Sequence, residues 1–396
     1  MQLRPLPVPA GPAAVAVLPA LREALAGGAA VLPYAAGGHP PHATDAALPD
    51  SAVPDAPVPD PGTALVVGTS GSTGTPKLAM LPASALAASA DATHERLGGP
   101  GTWLLAMPPH HIAGVQVLLR CLAAGTDPAF VDLSDGFTAA AFADAARALG
   151  GDRRYTALVP TQLRRLLDDP VATAALAALD GVLVGGAATP AGLLDRARSA
   201  GIRAVTTYGM SETAGGCVYD GVPFSCSAIR VDEDGRIHLG GDTLATGYLG
   251  RPDLTERAFN TDAAGVRWFR TDDTGHADES EAGRWHVDGR LDDVIVTGGL
   301  KVAPRLVEDA LATLPEVAEA VAVGTPDEEW GQAVSVALVL RDGAPAPEVG
   351  ELRSRLRGIL PHHALPRRVV TLGALPLRGP GKPDRASVAA LFAREK

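Results

Sequence analysis

Cysteine is scarce in this chain: Cys121, Cys217 and Cys226 are the only three in 396 residues. An odd number without C-x-x-C spacing supports neither a disulfide framework nor a zinc site, which leaves core or incidental thiols. Blocks of positive charge are also missing. The 34 basic and 45 acidic residues give a net charge of −11, so nucleic acid and anionic membranes are not expected partners. No charge-free stretch of about 18 apolar residues occurs, so membrane insertion is not expected. The N-terminus MQLRPLPVPAGP lacks a basic region feeding an apolar one, and the expected location is the cytoplasm. No internal repeat is visible. What remains is 46% apolar and 20% charged, an ordinary globular composition long enough for two or three domains with a large core.

Residues 35 to 63 are rich in proline, alanine and aspartate without periodicity, which marks a surface loop or flexible connector, with order resuming near Ala64. From there to about residue 290, strand-like runs such as TWLLAMP, ALVP, GVLVGG and AVTTYG alternate with helix-like runs such as AAAFADAARALG, PTQLRRLLDD and PAGLLDRARSAG. Such alternation predicts a mostly parallel sheet flanked by helices. The turn-rich stretch from Phe224 to Asp288, with RIHLGGD and GRWHVDGR, reads as antiparallel hairpins. After Arg290 the pattern changes: VIVTGG, a helix in PRLVEDALATL, strands VAEAVAVG and AVSVALVLRDG, and a helix in EVGELRSRLRGIL. The fold class expected is therefore α/β. A large N-terminal domain (1–291) combines parallel sheets with a small antiparallel part, and a small, mobile α+β domain (292–396) follows.

The run TSGSTGTPK at 69 to 77 follows the apolar Leu65, Val66 and Val67. Gly71 and Gly74 let the backbone turn its amides inward, while Thr69, Ser70, Ser72, Thr73 and Thr75 add hydroxyls. That concavity suits phosphate, and Lys77 sets a cation at its lip. The Walker A pattern is not met, because Thr75 and Pro76 follow Gly74 where lysine and a hydroxyl residue are required. A solvated Gly/Ser/Thr linker is the bland alternative.

Six further clusters stand at the predicted strand ends, where open α/β sheets bind ligands: MPPHHIAG (107–114), VGGAATP (184–190), TYGMSETAGG (207–216), WFRTDDTG (268–275), GRLDDVIVTGG (289–299) and LPLRGPGKPDR (375–385). In this order the seven resemble the acyl-adenylate-forming (AMP-binding, acyl-CoA synthetase) superfamily, over residues 64 to 396. The resemblance implies an enzyme with ATP, Mg²⁺ and coenzyme A as cofactor and co-substrates. A carboxylate attacks the α-phosphate of ATP to give an acyl-adenylate and pyrophosphate, and a thiol then displaces AMP. It implies catalysis by positioning the reactants and neutralising phosphate charge.

Residue by residue, the resemblance assigns Thr69, Ser70, Gly71, Ser72, Thr73, Gly74 and Lys77 to the β- and γ-phosphates. Gly185, Gly186 and Ala187 fall on the segment packed against adenine, and Tyr208 with Gly209 on the stacking position. Glu212 matches the magnesium ligand, a carboxylate suited to a hard cation bridging phosphates. Ser211 stands where threonine is usual. Asp273 matches the acceptor of the ribose hydroxyls, although Asp272 occupies a position usually held by glycine, and Arg290 adds a second ribose contact. Asp292 falls at the hinge. Lys382 matches the catalytic lysine that reaches the α-phosphate during adenylation, and Gly298 and Gly299 lie on the coenzyme A tunnel. His111, with His110 as runner-up, falls between the acyl pocket and the thiol tunnel.

YTALVPTQLRRLL (155–167), TYGMSETAGGCVYDG (207–221) and the short N-terminal region resemble the branch that activates o-succinylbenzoate for menaquinone synthesis. Its substrate carries a second carboxylate, for which Thr161, Gln162, Arg164, Met210 and Ser211 are pocket candidates beside His111. Arg164 and Arg165 facing solvent on a helix is the plain alternative. The short N-terminal region implies that dimerisation or a reduced sheet replaces part of the first subdomain. Two other readings stay open: a ligase for another aromatic or fatty acid, with a carrier-protein thiol as an alternative acceptor, and a non-catalytic nucleotide- or acyl-binding member.

Overall fold

The computed structural model describes residues 2–41, 59–69, 77–134, 136–378 and 382–393. Two compact units emerge, one from the N-terminus to Thr189 with Asp195–Arg230 and His238–Thr271, the other from Pro190–Leu194, Val231–Ile237 and Asp272 onward. Among the described residues, no helix is long and apolar enough to cross a membrane.

The first unit is built around a seven-stranded sheet. Thr102–Leu105, Arg154–Leu158, Gly181–Val184 and Ala204–Met210 run parallel, with Ala129–Phe130 beyond the first of them. Gly215–Tyr219 turns back antiparallel on the last. Thr102–Leu105, Arg154–Leu158 and Gly181–Val184 are almost wholly buried, as central strands of a parallel sheet are, whereas Ala204–Met210 is mostly half-buried. Trp103 and Tyr155 lie fully buried between them with ring centroids 5.0 Å apart. The parallel strands share one direction, so their C-terminal ends form one edge. The segments Met107–His111, Val159–Gln162, Gly185–Ala187 and Met210–Glu212 all leave from that edge.

A second sheet of five strands holds Leu3–Val8, Ala30–Ala35, Thr63–Thr69, Lys77–Pro82 and Gly247–Tyr248 in that order. Thr69 and Lys77 are opposed across an antiparallel pair, so the glycine- and hydroxyl-rich run joins two strands. A Walker loop would instead feed a helix, and this difference agrees with the absence of its lysine pattern. The central residues of that run, Ser70 to Pro76, lie outside the described residues, as does most of the proposed connector at 35–63.

Helices that the sequence reading had not marked fill the gaps, among them Ala83–Leu97 and Ile112–Ala124. Both end on glycine in the left-handed region, Gly98 at φ 90° and Gly125 at φ 67°. A Cβ on Gly114 would stand 2.3 Å from the Pro108 carbonyl oxygen, so only glycine lets the second helix start against the PPHH turn.

In the second unit, Val317–Asp327 and Gly331–Leu340 form an antiparallel pair extended by Ile295–Thr297, Leu300–Val302 and Arg368–Leu372. Period-two alternation separates its two faces. Val334, Val336 and Leu338 meet Val307 and Leu311 of Pro304–Ala312 and Leu352 and Leu356 of Val349–Leu356. On the opposite face Val321, Val323 and Ala337 meet Val388 and Phe392 of the C-terminal helix Arg385–Ala393.

Candidate active site

The turn carrying Glu212 is held from several directions. Ser211–Thr213 form one 3₁₀ turn after the strand Ala204–Met210, and Ala214 follows in the left-handed region at φ 52°. A non-glycine residue there persists only when its surroundings impose it. The Ala214 carbonyl accepts from Gln116 Nε2 at 2.6 Å and from Ser89 Oγ at 3.1 Å, one from each helix behind the turn. Thr213 Oγ1 accepts from the Met210 amide at 2.9 Å and donates to the Gly215 carbonyl at 2.7 Å. The Glu212 carbonyl accepts from the Ala245 amide at 2.8 Å. Glu212 itself is buried at 6% exposure, and its Oε1 accepts from the Tyr248 hydroxyl at 2.8 Å. Lys77 lies over the Tyr248 ring, its Nζ 5.5 Å from the centroid. One tyrosine thus touches both the carboxylate and the cation assigned to phosphate chemistry.

This donor set fits magnesium. Among the described residues no three His, Cys, Asp or Glu side chains converge to cage a metal. The buried Glu212 carboxylate, near the lysine that the resemblance assigns to phosphate, suits an ion that keeps its waters and binds through one or two carboxylates plus substrate phosphates.

The glycines that the resemblance assigns to adenine have a reason of their own within the protein. A Cβ on Gly185 would stand 2.1 Å from Thr207 Oγ1, and Gly186 is left-handed at φ 80°. A Cβ on Gly209 would stand 2.1 Å from the Gly215 carbonyl oxygen, so the antiparallel return of Gly215–Tyr219 demands glycine at that position. Ser211 is buried and its Oγ lies 3.5 Å from the Gly68 carbonyl, on the strand leading into the phosphate run.

His111 is the N-cap residue of Ile112–Ala124, and its ring lies 4.3 Å from that of His110 by centroid. Burial pulls the His110 pKa below its ordinary value, which favours the neutral ring. Gln162 has both ends of its amide in use: Nε2 donates to the Ala106 carbonyl at 2.7 Å and Oε1 accepts from the Val159 amide at 3.0 Å. It therefore pins the start of Pro160–Leu167 to the neighbouring strand end. Thr161 and Arg164 are half-buried on the same helix and Arg165 is exposed, while Tyr208 and Met210 are half-buried at the strand end.

In the second unit, Asp273 and Arg290 are opposed across antiparallel strands, with Arg290 Nη1 3.9 Å from Asp273 Oδ1. Asp272 is engaged by Arg236 at 3.1 Å and is 57% exposed by side chain, against 14% for Asp273. Arg290 also grips Asp292 bidentately, Nε to Oδ1 at 2.8 Å and Nη2 to Oδ2 at 2.9 Å. The Asp292 contact holds the Arg290 guanidinium above its ordinary pKa. Burial raises the Asp292 carboxyl, but the hydrogen bond and charge of Arg290 outweigh it and leave the carboxyl lowered. Gly298 and Gly299, at φ 58° and 78°, form the two-residue turn between Ile295–Thr297 and Leu300–Val302. Lys382 opens the short strand Lys382–Pro383, opposed to Arg378.

The sequence reading missed Gln116, Ser89 and Tyr248. Gln116 carried a signal, a lone amide in the apolar helix IAGVQVLLRCLAA, since a buried polar group requires a partner. Tyr248 carried none.

A family model described as AMP-binding enzyme matches residues 13–249, and one described as AMP-binding enzyme C-terminal domain matches 306–382. The chain belongs to the AMP-binding enzyme family. This AMP-binding enzyme is 47% identical to a probable 2-succinylbenzoate–CoA ligase of Mycobacterium tuberculosis (strain CDC 1551 / Oshkosh), over 99% of each chain. Among solved structures, it resembles an o-succinylbenzoate CoA synthetase of Bacillus subtilis in complex with its acyl-adenylate intermediate. That match has a TM-score of 0.70 at 27% identity and covers 82% of this chain and 69% of the other. The same synthetase in complex with ATP and magnesium matches at a TM-score of 0.69 and 26% identity, covering 86% and 73%.

Proposed function

We propose that this AMP-binding enzyme is an acid–thiol ligase that activates o-succinylbenzoate as its acyl-adenylate and transfers the acyl group to coenzyme A, a step of menaquinone synthesis. The observation that carries the choice of acid is the 47% identity spread over 99% of both chains, since it runs through the adenylating part and the small domain alike.

The chemistry follows from the site. A carboxylate is a poor acyl donor because its leaving group would be an oxide. Attack of a carboxylate oxygen on the α-phosphorus of ATP breaks the bond to pyrophosphate and leaves AMP as the leaving group. The thiolate sulfur of coenzyme A then bonds the acyl carbon, and AMP departs with the bonding pair. Lys77 and the run from Thr69 to Gly74 hold the terminal phosphates, and Glu212 would hold Mg²⁺. When bound, the ion neutralises phosphate charge as it develops.

Gly185, Gly186, Ala187, Tyr208 and Gly209 form the adenine slot, and Asp273 with Arg290 takes the ribose hydroxyls. Of the two adjacent aspartates we choose Asp273, which is the more buried and is opposed to Arg290 across the strand pair. His111, Thr161, Arg164, Met210 and Ser211 surround the acyl group. Gln162 supports that wall through its two backbone contacts. We keep Asp292 as the pivot of the small domain, although the second compact unit already takes in the chain from Asp272 onward. Lys382 serves adenylation, and the Gly298–Gly299 turn serves the coenzyme A tunnel. The enzyme acts in the cytoplasm on small molecules, without nucleic acid, and homodimerisation is the form proposed for it.

ATP–pyrophosphate exchange with a panel of carboxylic acids tests this reading. o-Succinylbenzoate should give the fastest exchange. Fast exchange with a fatty acid or benzoate and none with o-succinylbenzoate would refute the substrate and leave the family standing.

A further inference from the structure

Three residues beyond Lys382, Arg385 makes four polar contacts through its guanidinium. Its Nη1 donates to Glu308 Oε1 at 2.6 Å and to the Ala322 carbonyl at 2.6 Å, and Nη2 donates to Glu308 Oε2 at 3.2 Å. Its Nε lies 3.1 Å from Asp293 Oδ2. Glu308 Oε1 also accepts from the Ala322 amide at 2.9 Å. One guanidinium therefore joins four pieces of chain: the helix Pro304–Ala312, the strand Val317–Asp327, the segment immediately after Asp292, and the start of the C-terminal helix.

The chain between Lys382 and Arg385 has little freedom. Asp384 caps the helix, accepting from the Ser387 amide at 3.2 Å and the Ser387 hydroxyl at 2.8 Å, and its own amide donates to the Pro376 carbonyl at 2.8 Å. Lys382 is exposed, so its backbone must be aimed from behind. The planar guanidinium fork suits that task, because its donors are fixed relative to one another and cannot follow a wandering loop.

We propose that Arg385 is the positioning residue for Lys382, clamping the lysine-bearing segment to the hinge-adjacent Asp293 and to Glu308. Lysine loop and hinge segment then turn as one piece. This inference rests on the reading of Lys382 as the adenylation lysine, and Arg385 itself touches no reactant.

The test is a double-mutant cycle on the full chain, with adenylate formation from acid and ATP, and thioester formation from synthetic o-succinylbenzoyl-AMP and coenzyme A, assayed separately. A displacement of about 1 Å in a reacting group costs on the order of a hundredfold. Arg385→Ala should therefore slow adenylation by about ten- to a hundredfold and change the thiol step by less than about threefold. Arg385→Lys should restore part of the loss, since it keeps the charge without the fork. In a Lys382→Ala background, Arg385→Ala should add less than about twofold, because it acts through a side chain already gone.

Losses that multiply in the double variant, or that fall equally on both half-reactions, would overturn the proposal. If Lys382→Ala alone leaves adenylation intact, the reading of Lys382 fails first and the proposal falls with it. Should Arg385→Ala fail to fold, Asp293→Asn keeps the Glu308 contacts and enters the same cycle, with the same non-additivity expected.

Discussion

Replacing Tyr248 by phenylalanine removes one hydroxyl and leaves the ring where Phe259 packs against it, 5.8 Å away by centroid. The lost group is the donor to Glu212 Oε1 at 2.8 Å, and both side chains are buried. Hydrogen bonds to charged groups contribute roughly 1.5 to 3 kcal/mol, and a factor of ten in rate corresponds to about 1.36 kcal/mol. If Glu212 must be held in one orientation for the metal and phosphates, Tyr248→Phe should slow adenylation by about ten- to a hundredfold. The magnesium concentration for half-maximal exchange should rise as well. The cation over the ring is unaffected, since phenylalanine presents the same face to Lys77. ATP–pyrophosphate exchange across a magnesium series, with thermal unfolding in parallel, reads both effects. An unchanged rate with unchanged magnesium dependence would refute the assignment of Glu212 as the metal-holding carboxylate.

Three further outcomes follow from the geometry. Gly209→Ala forces a Cβ to 2.1 Å from the Gly215 carbonyl oxygen, so it should lower the melting temperature and cost at least about 2 kcal/mol; an unchanged melting temperature would contradict the close approach. Asp292→Pro fixes φ near −65° and should leave one half-reaction working while abolishing the other; equal loss of both in a folded variant would remove Asp292 from the hinge. Burial pushes the Cys217 thiol up to about 12, so it should resist thiol reagents at pH 8 while Cys226, which is half-buried, reacts. Because the folded thiol holds its proton after the unfolded one has lost it, stability should fall as pH rises from about 9 toward about 12, and Cys217→Ala should flatten that fall. Rapid labelling of Cys217 at pH 8 would contradict its burial.

The parts of this site that were legible in the sequence are those whose chemistry demands an unusual local composition. Phosphate contact needs glycine and hydroxyls in a run, adenine contact needs small residues after a strand, and three of the motifs adjoin the C-terminal ends of parallel strands. Asp273 and Arg290 were named by resemblance alone, and that the two are opposed across an antiparallel pair was not legible. Nor was the support behind the motifs. Gln116 and Ser89 reach the Ala214 carbonyl across 98 and 125 residues, and Tyr248 reaches Glu212 across 36. Such contacts depend on how helices settle on the sheet, and single polar residues in apolar or turn segments do not announce their partners. The helix Ile112–Ala124 was missed because its buried face is nearly continuous, which blurs the helical period.

The central claim is that the chain couples o-succinylbenzoate to coenzyme A through an acyl-adenylate. It is tested most directly by supplying o-succinylbenzoate, ATP, Mg²⁺ and coenzyme A to the purified full chain and following all products together. The account predicts one thioester, one AMP and one pyrophosphate per turnover, with o-succinylbenzoyl-AMP accumulating when coenzyme A is left out. Release of ADP and phosphate, or turnover of other acids without o-succinylbenzoate, would contradict it.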